Sequence, residues 1–303
     1  MTYDLIGDVH GQFSKLSSVL EHLGYEKRKK VYSRKDHCAI FIGDLVDRGS
    51  NSREVIELVK RMVEEGHAEA IMGNHEYNLF GYLTEGAKGK FLRPHSQKNE
   101  RQVRETLASY SGHENALDTH LEWISNLPLY LNNKDFRAVH ACWDKKSINY
   151  IKKSVGRKMD KEILIGSYKC GTKLEQAVKM IVSGPEMSLP DKIVQRDIDG
   201  NLRHNFRYKW WNAIKKSTYQ EVAVKDSYQL PAGKVVLPTD FVNREYDEGK
   251  KPVFFGHYSM KGKPSLMKSN VCCLDWIDKR NRIGVYRLKP GEKLTHKNFK
   301  FFF

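Results

Sequence analysis

Residues 38–49, Cys38-Ala39-Ile40-Phe41-Ile42-Gly43-Asp44-Leu45-Val46-Asp47-Arg48-Gly49, join a continuous apolar run of strand length to a loop carrying two acids and a guanidinium. The run from Cys38 to Ile42 reads as a strand that ends at Gly43. The same pattern recurs on either side. Asp4 to Ile6 reads as a short strand running into the glycines around Asp8, and Ala68 to Met72 as another, ending at Gly73. Helical spacing lies between them. Phe13, Leu16, Leu20 and Leu23 are closed by Gly24, and Val55, Ile56, Val59 and Met62 by Gly66. The alternation predicts an α/β layered sheet. In open α/β sheets ligands bind at the carboxyl ends of the strands, and here each strand ends in a Gly-containing loop rich in Asp, Asn and His.

Further along, Phe91 to Asn126 is helical and polar until Leu127-Pro128 ends it, and Phe136 to Val139 is a strand that delivers His140. Residues 144–250 are less regular, with a helical stretch around Leu174 to Val182 and a break at Gly184-Pro185. The sheet pattern then resumes. Val253 to Phe255 leads into Gly256-His257, followed by strands at Val271 to Leu274 and Ile283 to Leu288. One domain over residues 1–303 is expected, with 144–250 as a cap or insertion. The tail, Lys297 to Phe303, is expected to pack against the body.

Composition narrows the class. Of 303 residues, 40% are hydrophobic and 29% charged, as in a soluble globular chain. Met1-Thr2-Tyr3-Asp4 opens no secretory signal, and no window holds the ~18 apolar residues of a spanning helix, so a cytoplasmic, membrane-free protein is expected. The five cysteines lack the paired spacings of a zinc site or a disulfide framework. A net charge of +15 concentrates anions and suits a phosphorylated substrate or nucleic acid. Spread lysines such as Lys27 to Lys30 read equally as a solvated surface.

The chemistry sits at the strand ends. In Gly7-Asp8-Val9-His10-Gly11, alternate residues of an extended segment share a face, so Asp8 and His10 converge on one ion. Asp44, Asp47 and Arg48 follow the second strand, and Gly73-Asn74-His75-Glu76 sets an amide oxygen beside an imidazole. His140 and His257 complete the set. Singly these signals are weak, since a lone strand-end His is more often structural and a Gly-Asp pair more often a turn. The weight rests on five successive strand ends, each finishing in a metal-competent side chain. Carboxylate, imidazole and amide oxygens suit Mn²⁺, Fe or Zn²⁺.

Taken together, GDVHG, GDLVDRG and GNHE resemble the calcineurin-like metallophosphoesterases, in particular bacterial-type members of the phosphoprotein-phosphatase branch. The resemblance implies a layered β-sandwich flanked by helices and two divalent ions, of which manganese is the first choice. It implies that Asp8, His10 and Asp44 hold one ion, that Asp44, Asn74, His140 and His257 hold the other, and that Asp44 bridges them. Such paired ions stand about 3.5–4 Å apart and activate a water for direct attack on phosphorus. His75 is implied to be the general acid, oriented by Asp47, while Arg48 and Asn74 meet substrate. Glu76 reads as a helix-start acid or a catalytic group. The remaining histidines read as ordinary surface residues.

This chain departs from eukaryotic members at Met72, where they carry Arg, and at Ala141-Cys142, where they carry two glycines. A second phosphate-binding arginine is expected between His140 and His257; Arg196, Arg203 and Arg207 are the candidates, with Arg207 set in a basic, aromatic cluster. The reading that follows is a phosphomonoesterase acting on Ser/Thr phosphoprotein. Its alternative is a hydrolase of dinucleoside polyphosphates or nucleic-acid ends, and a third possibility is a non-catalytic nucleic-acid-binding protein.

Overall fold

Side chains along each central strand alternate between two destinations. Leu5, Ile40 and Tyr286 share one buried cluster with Phe136, Phe254 and Cys272. Their strand neighbours Ile6, Phe41, Val285, Val139, Phe255 and Cys273 belong to a second, larger core. Strands covered on both faces have no polar side to show, which is why they read as unbroken apolar runs.

The computed structural model describes residues 1–154, 159–190, 193–196, 202–224, 230–239, 241–276 and 282–302. Two sheets make the frame. The five-stranded sheet runs in the order Phe299–Phe302, Ile283–Leu288, Thr2–Ile6, His37–Phe41, Ala68–Ala70. Its last three strands are mutually parallel and the first two join antiparallel. The four-stranded sheet is ordered Val271–Cys273, Val253–Phe255, Arg137–Val139, Tyr130–Asn132, the first three parallel. Because the cluster around Phe254 draws on both sheets, they face one another as a sandwich.

Helices cover the outer faces, as expected for the fold class. α1 (Phe13–His22) buries Leu16, Val19 and Leu20, and α2 (Ser52–Glu64) buries Val55, Ile56, Val59 and Met62. α3 (Asn74–Leu83) starts at the third strand-end loop. The polar stretch expected from Phe91 resolves into α4 (Gln97–Ser109) and α5 (Glu114–Ser125). α4 begins later than Phe91, because Ser96 caps it by accepting from Asn99 N–H. Within 144–250 the expected helix is α8 (Lys173–Ser183), but two more precede it, α6 (Lys145–Ser154) and α7 (Lys161–Gly166). α6 left little trace in the sequence because it buries only Ile148 and Ile151 among lysines. Beyond Gly184 this region covers the four-stranded sheet with Trp210 and Trp211, whose rings lie 5.3 and 5.0 Å from that of Phe255.

The tail packs against the body as an edge strand, Phe299–Phe302; Phe303 lies outside the described residues. Four cysteines are buried thiols and Cys170 is exposed. His120 corrects the surface reading of the leftover histidines: it is 3% exposed, held between Tyr110 Oη at 2.8 Å and Glu57 Oε2 at 2.9 Å. No helix among the described residues is long and apolar enough to cross a membrane.

Candidate metal and phosphate site

Five strands, parallel within each of the two sheets, deliver their C-terminal loops to one place. Asp8 follows Ile6, Asp44 follows Phe41, and Asn74 opens α3 after Ala70. His140 follows Val139 and His257 follows Phe255 on the other sheet. The loops are tightly wound. His10, Asp44, Asp47, Arg48 and His257 all take left-handed backbone conformations, with φ of 48, 52, 70, 64 and 71°. Such residues persist only where their surroundings over-determine them, and each costs about 1–3 kcal/mol. His10 is therefore not in the extended segment the sequence suggested, although its Nε2 still lies 3.9 Å from Asp8 Oδ2.

Glu76 supplies much of that determination. Its buried carboxylate accepts from the N–H groups of Asp44 (2.8 Å), Leu45 (2.7 Å), Val46 (3.1 Å) and Gly73 (2.9 Å). It holds the Asp44 loop against the start of α3, a structural role at the helix start. Gly73 lets the loops meet this closely, since a Cβ there would collide with Asp44 N and Oδ1. Glu76→Gln should cost about 3 kcal/mol, because an amide turns two donors toward buried N–H groups and forfeits charge-assisted bonds. Urea unfolding reads the loss; an unchanged midpoint would show the clamp to be dispensable.

Around Asp44 the donor atoms form two groups. Those of His10, Asp44 and His75 lie within 4.8 Å of one another, as do those of Asp44, His140 and His257. Asn74 Oδ1 adds to the second group, 3.0 Å from His140 Nε2 and 2.6 Å from His257 Nδ1. Asp8 stands beside the first, its Oδ1 buried with no hydrogen-bond partner.

The chemistry of these contacts fits cations. His140 Nδ1 lies 2.7 Å from the Ile42 carbonyl and His10 Nδ1 lies 3.1 Å from the Val46 carbonyl, so each ring donates there. A backbone carbonyl fixing the tautomer in this way is the usual support of a metal-binding imidazole. In the neutral ring Nε2 then presents a lone pair. His140 Nε2 would face Asn74 Oδ1 and, at 3.2 Å, Asp44 Oδ1, both oxygens that only accept. Acceptors turned on one another need a positive charge between them. The surrounding carboxylates favour positive charge at this point, whether a proton on Nε2 or an ion in its place supplies it. Burial disfavours a charged His140, yet Asp44 and Asp8 outweigh it and push its pKa up to about 10. Burial likewise opposes the Asp44 carboxylate, but His140, His75 and His10 hold its carboxyl well below the usual range.

His75 occupies the remaining side. Its Nδ1 is 2.6 Å from Asp47 Oδ2, and its Nε2 is 3.8 Å from Asp44 Oδ2. Burial disfavours the charged ring, but Asp44 and Asp47 more than offset this and raise its pKa. Arg48 is exposed and lines a polar cleft with Asp8, His10 and Gln12. Arg207 reaches the other half, its Nη1 3.4 Å from the His257 carbonyl oxygen. The His257 ring is held well below its usual pKa, first by burial and then by the charge of Arg207. The side chains of the competing candidates Arg196 and Arg203 lie outside the described residues.

One residue of this cleft escaped the sequence reading. Asp275 lines it, accepting from Ser259 N–H at 2.5 Å, and after burial its charge does most to push the Asp8 carboxyl up. It follows the strand Val271–Cys273, so the rule that singled out the other strand ends would have found it.

The chain belongs to the calcineurin-like phosphoesterase family, whose defining pattern matches residues 1–167. Among curated relatives, a bis(5'-nucleosyl)-tetraphosphatase PrpE [asymmetrical] of Halalkalibacterium halodurans is 43% identical over 84 residues, covering 27% of this chain and 34% of the relative. The protein of the same name from Oceanobacillus iheyensis is 32% identical over 142 residues, 46% of this chain and 55% of the relative. The chain thus spans about a third to a half of the relatives it matches. A solved Saccharomyces cerevisiae protein serine/threonine phosphatase shares the fold, with TM-score 0.51 at 14% identity over 100% of this chain and 79% of that one.

Proposed function

We propose that this chain is a divalent-metal-dependent phosphohydrolase whose substrate is a dinucleoside polyphosphate. The observation that carries the chemistry is the pair of donor groups sharing Asp44, with the His75–Asp47 pair alongside. The names of the relatives support the nucleotide substrate better than the phosphoprotein favoured by sequence, since the likeness to a protein phosphatase is one of fold alone.

Asp8, His10 and Asp44 would hold one ion, and Asp44, Asn74, His140 and His257 the other, with manganese the first choice. Bound there, the ions supply Lewis-acid charge to the phosphoryl oxygens and lower the pKa of a water. The chain's own groups do the rest. Arg48 and Arg207 offer guanidinium forks to phosphate oxygens from the two halves of the site. Asn74 fixes substrate beside them. His75 gives its Nε2 proton to the leaving oxygen, while Asp47 holds Nδ1 and stabilises the charged ring. The +15 charge draws a polyanion toward the cleft.

A panel with manganese tests this: diadenosine tetraphosphate, a phosphothreonine peptide, 4-nitrophenyl phosphate and its bis ester. The dinucleotide should exceed the peptide at least about tenfold in kcat/KM, a difference of ~1.4 kcal/mol in transition-state binding. The reverse order would restore the phosphoprotein reading.

A further inference from the structure

The general acid of the proposed reaction does not stand on Asp47 alone. Gln102, in the middle of α4, donates from Nε2 to Asp47 Oδ2 at 2.9 Å and lies 3.2 Å from His75 Nδ1. Oδ2 is the same oxygen that receives the His75 N–H. One helical turn on, Thr106 Oγ1 donates to the other oxygen, Asp47 Oδ1, at 2.6 Å, and accepts from Asp47 N–H at 2.9 Å. Residues four apart share a helix face, so α4 presents one donor to each oxygen of a single carboxylate.

Behind Gln102 stands a charge. Arg93 Nη2 donates to Gln102 Oε1 at 2.8 Å, and its backbone N–H is fixed to the Gly81 carbonyl at 2.8 Å. Asn78 Nδ2 meets the same Oε1 at 3.5 Å. The amide is thereby oriented, oxygen toward the guanidinium and N–H toward the carboxylate. A freely rotating amide could turn its oxygen on Asp47; this one is kept from doing so. Val103 and Thr106 are buried and Leu107 packs against the core, which anchors α4 with Gln102 at the edge of the same face.

We infer that Gln102, held by Arg93, is the positioning residue that fixes the Asp47–His75 pair for proton delivery to the leaving oxygen. The inference rests on the proposed role of His75 as general acid. Without Gln102, Thr106 still holds Asp47 Oδ1 and its backbone, so the loop keeps its place. Oδ2 then has His75 as its one side-chain donor, and the pair swings about that bond. Proton delivery suffers, while metal binding and phosphate binding, which Gln102 does not touch, remain.

Leaving-group dependence separates this role from a structural one, because a good leaving group departs without a proton. Gln102→Met keeps the length and removes both polar atoms. With manganese it should lower kcat roughly 10- to 100-fold on phenyl phosphate, the loss of one charge-assisted hydrogen bond, and less than about threefold on 4-nitrophenyl phosphate. KM and metal content should not change. Arg93→Met should act in the same direction more weakly, and carries the same test should the first variant fold poorly. Equal losses on both substrates, or no loss on either, overturn the inference. His75→Asn run alongside distinguishes the two levels. If it fails to discriminate between the substrates, the general-acid reading falls and takes this inference with it. If it discriminates and the Gln102 and Arg93 variants do not, the inference alone falls.

Discussion

An Asp44→Asn protein is expected to bind neither cation at concentrations that fill the unaltered site, and to lose at least about 1,000-fold in kcat. The expectation follows from its place between the donor groups. Asp44 is 2% exposed, with Oδ1 3.2 Å from His140 Nε2 and Oδ2 3.8 Å from the Nε2 atoms of both His10 and His75. An amide in its place lacks the charge that offsets two divalent ions, and its NH₂ repels whichever ion it faces. Because Oδ1 also accepts from His75 N–H at 3.0 Å, the amide oxygen will keep to that side. The NH₂ then falls where Oδ2 was. Elemental analysis after dialysis against manganese gives the answer in ions per chain. Retention of one full equivalent would show that Asp44 serves a single site.

His75→Asn is the second large effect, expected to reduce kcat about 100- to 10,000-fold on substrates with basic leaving groups. Both cations should remain bound. Their retention is decisive, because the ring lies close enough to His10 and Asp44 to be counted among metal donors, all within 4.8 Å. The Nδ1 bond to Asp47 and the proton-favouring influence of Asp44 and Asp47 speak for an acid instead. Metal content decides between them: an ion lost with His75 makes it a ligand, and an ion kept makes it the acid.

The strand ends were readable because a strand buried on both faces advertises itself, and its polar successor stands out against it. Cys38 to Ile42, Val253 to Phe255 and Ile283 to Leu288 all fall on strands within a residue. Asp8, His10, Asp44, Asn74, His140 and His257 meet in space as five successive strand ends implied. The pairing of the strands was not readable. Nothing local in Phe136 to Val139 says that its neighbour is Val253–Phe255, more than a hundred residues on, rather than Ala68–Ala70. The role of Glu76 was hidden for another reason. Its partners are main-chain N–H groups, which every residue carries and no motif records. Gln102 was hidden because it stands at the edge of the helix face that Val103 marks, and no spacing in the sequence says that a carboxylate lies opposite it. Arg207 was singled out for its basic, aromatic neighbours, but only the folded chain brings its guanidinium to His257.

The two sheets contribute unequally to the donor set: Asp8, His10, Asp44 and Asn74 come from one, His140 and His257 from the other. On the proposed assignment, an ion held by Asn74, His140 and His257 joins the halves of the sandwich at the rim where their strands end. Loading and folding are then one equilibrium. An ion that binds only the native chain adds about 4 kcal/mol of stability at a thousandfold excess over its Kd, much of what a domain of this size has to spare. The population of folded protein would follow the free divalent metal around it, so that scarcity of the ion removes the enzyme as well as idling it.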